Sequence, residues 1–239
     1  MARTWRGIDD HAPLPMSEYK VIVFDYDGTL FDTRPAIFHC IQRAFVECGR
    51  PIPALEAVAS TVKTGLPLQE TFFALDETLR ANRTALNALV ITYRKLYLDE
   101  GTPLAKPFAG ARDALQQIHG RGAKCVIVSN KGIAAIRRSL DQSQLSSFVD
   151  FVFGDEPGLP KKPDPAIVMD HILPRYGQLQ MEQMLVVGDT ETDILFAKRI
   201  GVSCCWASYG YGETERCRKL APEHEISSIA DLPALVHCR

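Results

Sequence analysis

The stretch Lys-Val-Ile-Val-Phe-Asp-Tyr-Asp-Gly-Thr-Leu-Phe-Asp at residues 20–32 constrains the fold of this chain more than any other. Val21, Ile22, Val23 and Phe24 form an unbroken apolar run, which reads as a strand buried on both faces, the kind a parallel sheet requires. The run stops at Asp25-Tyr26-Asp27-Gly28-Thr29. Carboxylates one residue apart, where a buried strand opens into a glycine-containing turn, would lie at the carboxyl edge of a sheet, where open α/β folds place their ligands. Like charges so close repel, and a divalent cation between them removes that cost. Mg2+ suits such a site because it takes hard oxygen ligands. Asp and Gly also dominate ordinary surface turns, so the other strand ends decide between the two.

Apolar residues at Ile37, Ile41, Ala44, Phe45 and Cys48 follow a helical spacing over 35–48 that closes at Gly49. Further helices are expected at 55–62, 68–75 and 85–98, and no parallel strand is expected between 33 and 104. Prolines and glycines at 101–110 mark a return linker. Beyond it the pattern alternates: helix 111–119, strand 124–128, helix 132–140, strand 151–153, helix 165–176, strand 184–187, helix 192–200 and strand 202–206. The expected fold is α/β, a Rossmann-like parallel sheet core from 17–32 and 105–239 with a small α-helical domain inserted at 33–104. Residues 1–16 read as a loosely ordered extension, though Trp5 could dock on the body.

At 239 residues and 46% hydrophobic, the chain has the composition of a globular protein rather than a disordered or fibrous one. Its 27 basic and 29 acidic residues give a net charge of -2, which argues against a general nucleic-acid or membrane-surface binder. Seven cysteines with no Cys-x-x-Cys pair suggest thiols rather than a disulfide framework or a zinc site. Cys204 and Cys205 are neighbours in an expected strand, and read as packing residues. No signal-peptide core or membrane span is evident, so a soluble, cytoplasmic protein is expected. The histidines lie away from the motifs, and oligomeric state leaves no mark in the sequence.

Other expected strands also end in polar groups. Strand 124–128 runs into Ser129-Asn130-Lys131, which offers a hydroxyl and backbone N–H groups before a helix, a favourable place for a phosphoryl group. Strand 184–187 runs into Gly188-Asp189-Thr190-Glu191-Thr192-Asp193, so Asp189 and Asp193 could both face a cation beside Asp25. Between them, Lys162 precedes Pro163-Asp164-Pro165, and Pro165 fits the opening of a helix. Singly, Ser129 suits a helix cap, Asp193 a helix N-terminus and Lys162 a solvated surface. Together they gather acids, a hydroxyl and a lysine on one edge of one sheet.

In this order Asp25-Tyr26-Asp27-Gly28-Thr29-Leu30, Val128-Ser129-Asn130-Lys131, Lys162-Pro163-Asp164-Pro165 and Gly188-Asp189-Thr190-Glu191-Thr192-Asp193 resemble the four motifs of the haloacid dehalogenase-like hydrolase superfamily, in its phosphoglycolate phosphatase-like branch. The resemblance covers the chain from about residue 19 onward. It implies that Asp25 is a nucleophile forming an aspartyl-phosphate, and that Asp27 is the general acid and then the base. It implies Mg2+ held by Asp25, the Asp27 backbone carbonyl and Asp189, with Asp193 helping directly or through water. Ser129, Asn130 and Lys162 would bind the phosphoryl group, Ser129 and Lys162 offsetting its charge in the transition state. Asp27 separates this chain from the dehalogenases and phosphonate-cleaving members, which lack that acid; Tyr26-Asp27 departs from the motif of the transport ATPases.

The resemblance also implies that the insert is a cap that chooses the substrate, a small phosphorylated metabolite, with phosphoglycolate first. Arg34, Lys63, Thr64 and Gly65 are the candidate specificity residues, the two cations as readers of an anionic leaving group. A sugar-phosphate or nucleotide phosphatase, or a phosphosugar mutase, is the alternative within the enzyme class. Outside it stands a catalytically weak member that binds a ligand or partner as a regulator.

Overall fold

The computed structural model describes residues 19–236, so the expectations for the extension at 1–16 lie outside the described residues. In chain order the elements are β1 (Val21–Phe24), β2 (Phe31–Asp32), α1 (Arg34–Glu47), α2 (Leu55–Val62), α3 (Leu68–Leu75), α4 (Arg83–Leu96), β3 (Lys106–Pro107) and α5 (Ala111–Gly120). Then come β4 (Lys124–Gly132), α6 (Ile133–Gln142), β5 (Phe151–Asp155), β6 (Met184–Gly188), α7 (Glu191–Ile200), β7 (Ser203–Ala207), α8 (Thr214–Lys219) and β8 (His224–Ile226). Six strands form a parallel sheet in the order β5-β4-β1-β6-β7-β8. The expected Rossmann-like α/β architecture is the one observed.

β1 lies in the middle, paired with β4 and β6, and both of its faces are covered. Ile22 and Phe24 join Ile127, Leu185 and Val187 in one apolar layer with α5, α6 and the helical insert. Val21 and Val23 join Val126, Val186 and residues of α7 in the other. Successive side chains alternate between the faces of a strand, so a strand covered on both sides needs apolar residues at every position. Cys204 and Cys205 obey the same rule, one in each layer, as free thiols.

The insert is α1 to α4, with an irregular turn at Tyr97–Gly101. It joins the core through β2 and β3, which pair antiparallel as Phe31↔Pro107 and Asp32↔Lys106. Strands of two or three residues are too short to leave a periodic signature, which is why these and β8 were not expected. The helix expected at 165–176 is present but irregular, widened to a π-helix at Ile167–Ile172 and tightened to a 3-10 helix at Leu173–Arg175. Pro174 lies in this stretch and has no N–H to donate. β4 runs on to Gly132, past the expected end at 128, with a register shift between Val128 and Gly132. Among the described residues no helix is long and apolar enough to cross a membrane.

Candidate active site

β1, β4 and β6 run side by side and end at the same edge, which brings Asp25, Ser129 and Asp189 together. Asp193, in the first turn of α7, completes a group with Asp25 and Asp189 whose ligating oxygens all lie within 4.8 Å of one another. All three carboxylates are buried. Lys162 enters from the loop after β5, with Nζ 2.7 Å from Asp25 Oδ1 and 2.6 Å from Asp193 Oδ1. The Asp193 contact is a hydrogen bond; the Asp25 contact is an ion pair that leaves Oδ1 without an aligned donor.

Three buried acids around one buried lysine are not in balance. Burial, with lesser contributions from Asp193 and Asp27, raises the Asp25 carboxyl to about 6 despite Lys162. Burial, and after it the carboxylates of Asp193 and Asp25, hold Asp189 well above the usual carboxylate range. Burial alone would discharge Lys162, but Asp193 and Asp25 outweigh it and raise its pKa. A divalent cation would relieve this excess, and oxygen-only donors at this spacing suit a hard ion such as Mg2+.

The remaining oxygens are held in place. Asp189 Oδ1 accepts from Thr29 Oγ1 at 3.0 Å, and Oδ2 accepts from the Tyr211 N–H at 2.7 Å. Asp193 Oδ2 accepts from the Thr190 N–H at 3.0 Å and from its hydroxyl at 2.8 Å. Gly28 has φ +77°, and a Cβ there would collide with Asp189 Oδ2. Asp27 leans the other way, accepting from Lys131 Nζ at 3.0 Å. Lys131 lies 3.7 Å from the centroid of the Tyr97 ring. Burial opposes the charge of Lys131, and the nearby Asp27 carboxylate offsets that so that its pKa is raised.

A cavity of about 340 Å³ opens from these groups toward the insert, bounded by Asp25, Asp27, Ser129 and Lys162 on one side. With the geometry established, comparison with known proteins decides the family: residues 22–207 match the haloacid dehalogenase-like hydrolases. The chain belongs to that family.

Among its relatives is a phosphoglycolate phosphatase of Pseudomonas savastanoi pv. phaseolicola, 30% identical over 220 residues, covering 91% of this chain and 78% of that protein. Another of that name, from Aliivibrio fischeri, is 28% identical over 217 residues, covering 86% and 91%. A solved haloacid dehalogenase-like family protein of Streptococcus pneumoniae superposes with a TM-score of 0.77 at 25% identity, covering 90% of this chain and 97% of that one. The sequence resemblance thus holds, both for the family and for the branch named after phosphoglycolate phosphatase.

In this haloacid dehalogenase-like hydrolase Asp25, Asp27, Ser129, Lys162, Asp189 and Asp193 converge on one site. Asn130 is nearby but otherwise engaged: its side-chain amide donates to the Gly65 carbonyl at 3.1 Å and the Lys162 carbonyl at 3.2 Å. It ties the insert to the lysine loop. Gly65 lines the cavity, and Thr64 accepts from Thr192 Oγ1 through its carbonyl at 2.9 Å. Arg34 and Lys63 are exposed and absent from the cavity wall; Arg34 lies over the Tyr211 ring, 4.5 Å from its centroid. Tyr26 is buried and stacks on Phe31 at 4.6 Å.

Two partners escaped sequence reasoning. Lys131 belongs to a quoted motif, but its pairing with Asp27 spans 104 positions. Tyr211 donates through its backbone to Asp189, and its hydroxyl accepts from the N–H groups of Thr33 at 2.6 Å and Arg34 at 3.0 Å. The signal available was the glycine spacing: a Cβ at Gly210 or Gly212 would strike Asp189.

Proposed function

We propose that the chain is a Mg2+-dependent phosphatase that hydrolyses a small phosphorylated metabolite through an aspartyl-phosphate on Asp25. The observation that carries this is the cluster of Asp25, Asp189 and Asp193, two of which, Asp25 and Asp193, pair with the buried Lys162, beside Asp27 at the mouth of a cavity. Asp25, Asp189, the Asp27 backbone carbonyl and Asp193, directly or through water, would hold Mg2+, which when bound neutralises the carboxylates and draws charge from the phosphoryl oxygens.

Asp25 attacks phosphorus through a carboxylate oxygen while Lys162 and Ser129 hold the phosphoryl oxygens and offset their charge. The bond from phosphorus to the leaving oxygen breaks, and Asp27 gives that oxygen its proton. Asp27 then takes a proton from water, which attacks phosphorus and frees Asp25 with release of inorganic phosphate. Lys131 orients Asp27 for both transfers. The helical insert acts as a cap that excludes water from the first step.

The names of the relatives support 2-phosphoglycolate as the first substrate to test. Six free cysteines among the described residues suit the reducing cytoplasm. The test is phosphate release at neutral pH from 2-phosphoglycolate and a panel of sugar phosphates, nucleotides and p-nitrophenyl phosphate, with Mg2+ and then with chelator. Release should require the metal and vanish in Asp25→Asn. Release that persists with chelator or in that variant refutes the mechanism, and phosphate passed to a second sugar phosphate identifies a mutase.

A further inference from the structure

The cavity beside Asp25 is shaped for more than a phosphoryl group. Its volume of about 340 Å³ falls within the range of roughly 300–1,000 Å³ typical of small-molecule pockets. Ile37, Val62, Leu66, Leu68, Leu98 and Ile133 contribute walls to it, from α1, the α2–α3 segment, the turn after α4, and α6. None of the six is fully buried, and Leu66 is 44% exposed. Apolar side chains left partly wet around a catalytic cavity gain most when an apolar group of the substrate covers them as the insert closes.

Among the described residues, every cation on the wall already has a carboxylate. Lys162 faces Asp25 and Asp193, Lys131 faces Asp27 at 3.0 Å, and Arg94 faces Asp155 at 2.5 Å. Arg34 and Lys63, the cations expected to read an anionic leaving group, are not on the wall. Arg94 shares Asp155 with Lys161, which lies 2.9 Å from it, and is 45% exposed, so among the described residues no cation of the wall is both buried and free of a carboxylate. The carboxylate of glycolate would lose water in a mostly apolar chamber that offers it little compensation.

We infer that the alcohol released by this enzyme is uncharged and predominantly apolar, a branched alkyl or arylalkyl alcohol bulkier than glycolate. The inference rests on the phosphomonoester hydrolysis proposed above and narrows its substrate class. Water adds across the bond between phosphorus and the ester oxygen, giving the free alcohol and inorganic phosphate, with no other reactant. Partly wet leucine and isoleucine side chains then close on the hydrocarbon of the substrate.

The experiment compares kcat/KM of the full chain with Mg2+ on phosphate esters of alkanols: 2-phosphoglycolate, O-phosphoserine, ethyl phosphate, 3-methylbutyl phosphate and 2-phenylethyl phosphate. One or both of the last two should exceed the other three by about tenfold or more, as expected when added methylenes fill an apolar pocket. Leu66→Lys, at an exposed position, should narrow or reverse that preference. Binding supplies an independent readout: calorimetry should give 3-phenylpropylphosphonate a Kd at least about tenfold below that of 3-phosphonopropionate. Equal efficiencies, or preference for 2-phosphoglycolate or O-phosphoserine, overturn the inference and leave the phosphatase assignment standing. No Mg2+-dependent release from any ester, p-nitrophenyl phosphate included, refutes the phosphatase assignment and the inference with it.

Discussion

Lys131 donates a 3.0 Å hydrogen bond to Asp27 Oδ1 across the mouth of the cavity. An acid that must give up one proton and accept another needs a fixed direction, and the lysine supplies it while lying over Tyr97. Lys131→Met should lower kcat by about ten- to a hundredfold, part of the roughly 10²–10⁴ that general acid–base catalysis contributes. KM should change much less, and Lys131→Arg should restore part of the rate. Steady-state kinetics on one substrate decide it; a change confined to KM would show that Lys131 binds substrate rather than orienting Asp27.

The raised pKa of Asp25 sets a pH window for metal binding. Folding lifts this carboxyl from 3.8 to about 6, so the folded chain keeps a proton there that the unfolded chain releases. Its contribution to stability is complete below the unfolded value and is lost as pH rises through the folded one. Mg2+ needs the ionised form, and a ligand that binds only the folded state raises the melting temperature. The Mg2+-induced shift should therefore be larger at about pH 7 than at about pH 5. Thermal melts with Mg2+ or chelator test this, with Asp25→Asn as control. Equal shifts at both pH values would place the cation elsewhere.

Gly28→Ala combines two penalties. At φ +77° an alanine is strained, and its Cβ would displace Asp189 and the Tyr211 ring. Stability should fall by about 1–3 kcal/mol, and the Mg2+-induced shift should disappear. Gly201→Ala is the control, since φ there is +84° but none of the described residues lies within 4 Å of the added carbon. That variant should lose stability and keep the shift. Urea denaturation and thermal melts separate the two, and an intact shift in Gly28→Ala would mean that Asp189 does not hold the metal.

Arg94 reaches from α4 to Asp155 on β5, an ion pair of 2.5 Å in which the arginine side chain is 45% exposed. Solvent screens such a pair, and Lys161 still faces Asp155 at 2.9 Å when the arginine is removed. Arg94→Ala should thus cost less than about 1 kcal/mol in a denaturant titration. A larger loss would make this contact a principal attachment of the insert to the core.

Asp25 and Asp189 were legible because each follows a buried strand, and Ser129 because it follows the buried apolar run of β4; parallel strands deliver these positions to one edge. Asp193 was legible for a related reason, lying one helical turn past its strand. Lys162 is positioned by a loop rather than a strand end, and only its place in a motif pointed to it. The cavity wall was not legible: helical periodicity says which face of α1 or α4 turns inward, not whether a neighbouring side chain or a ligand meets it. Lys63 was chosen for its charge and for a loop that resembles the family's substrate-facing segment, Arg34 for its charge; Lys63 is exposed, and Arg34 lies over the Tyr211 ring rather than on the cavity wall. Lys131 and Tyr211 owe their roles to partners far away in the chain, which no local pattern encodes.

The pairing of Phe31 with Pro107 and of Asp32 with Lys106 sets the outgoing and returning chain side by side. Whatever lies between those residues begins and ends at one place, and added length costs little because closure entropy grows only logarithmically. The six-stranded register has no share in that length. Recombination could therefore exchange the helices as a cassette while the chemistry is inherited unaltered, and new substrates would become accessible without reinventing the catalyst.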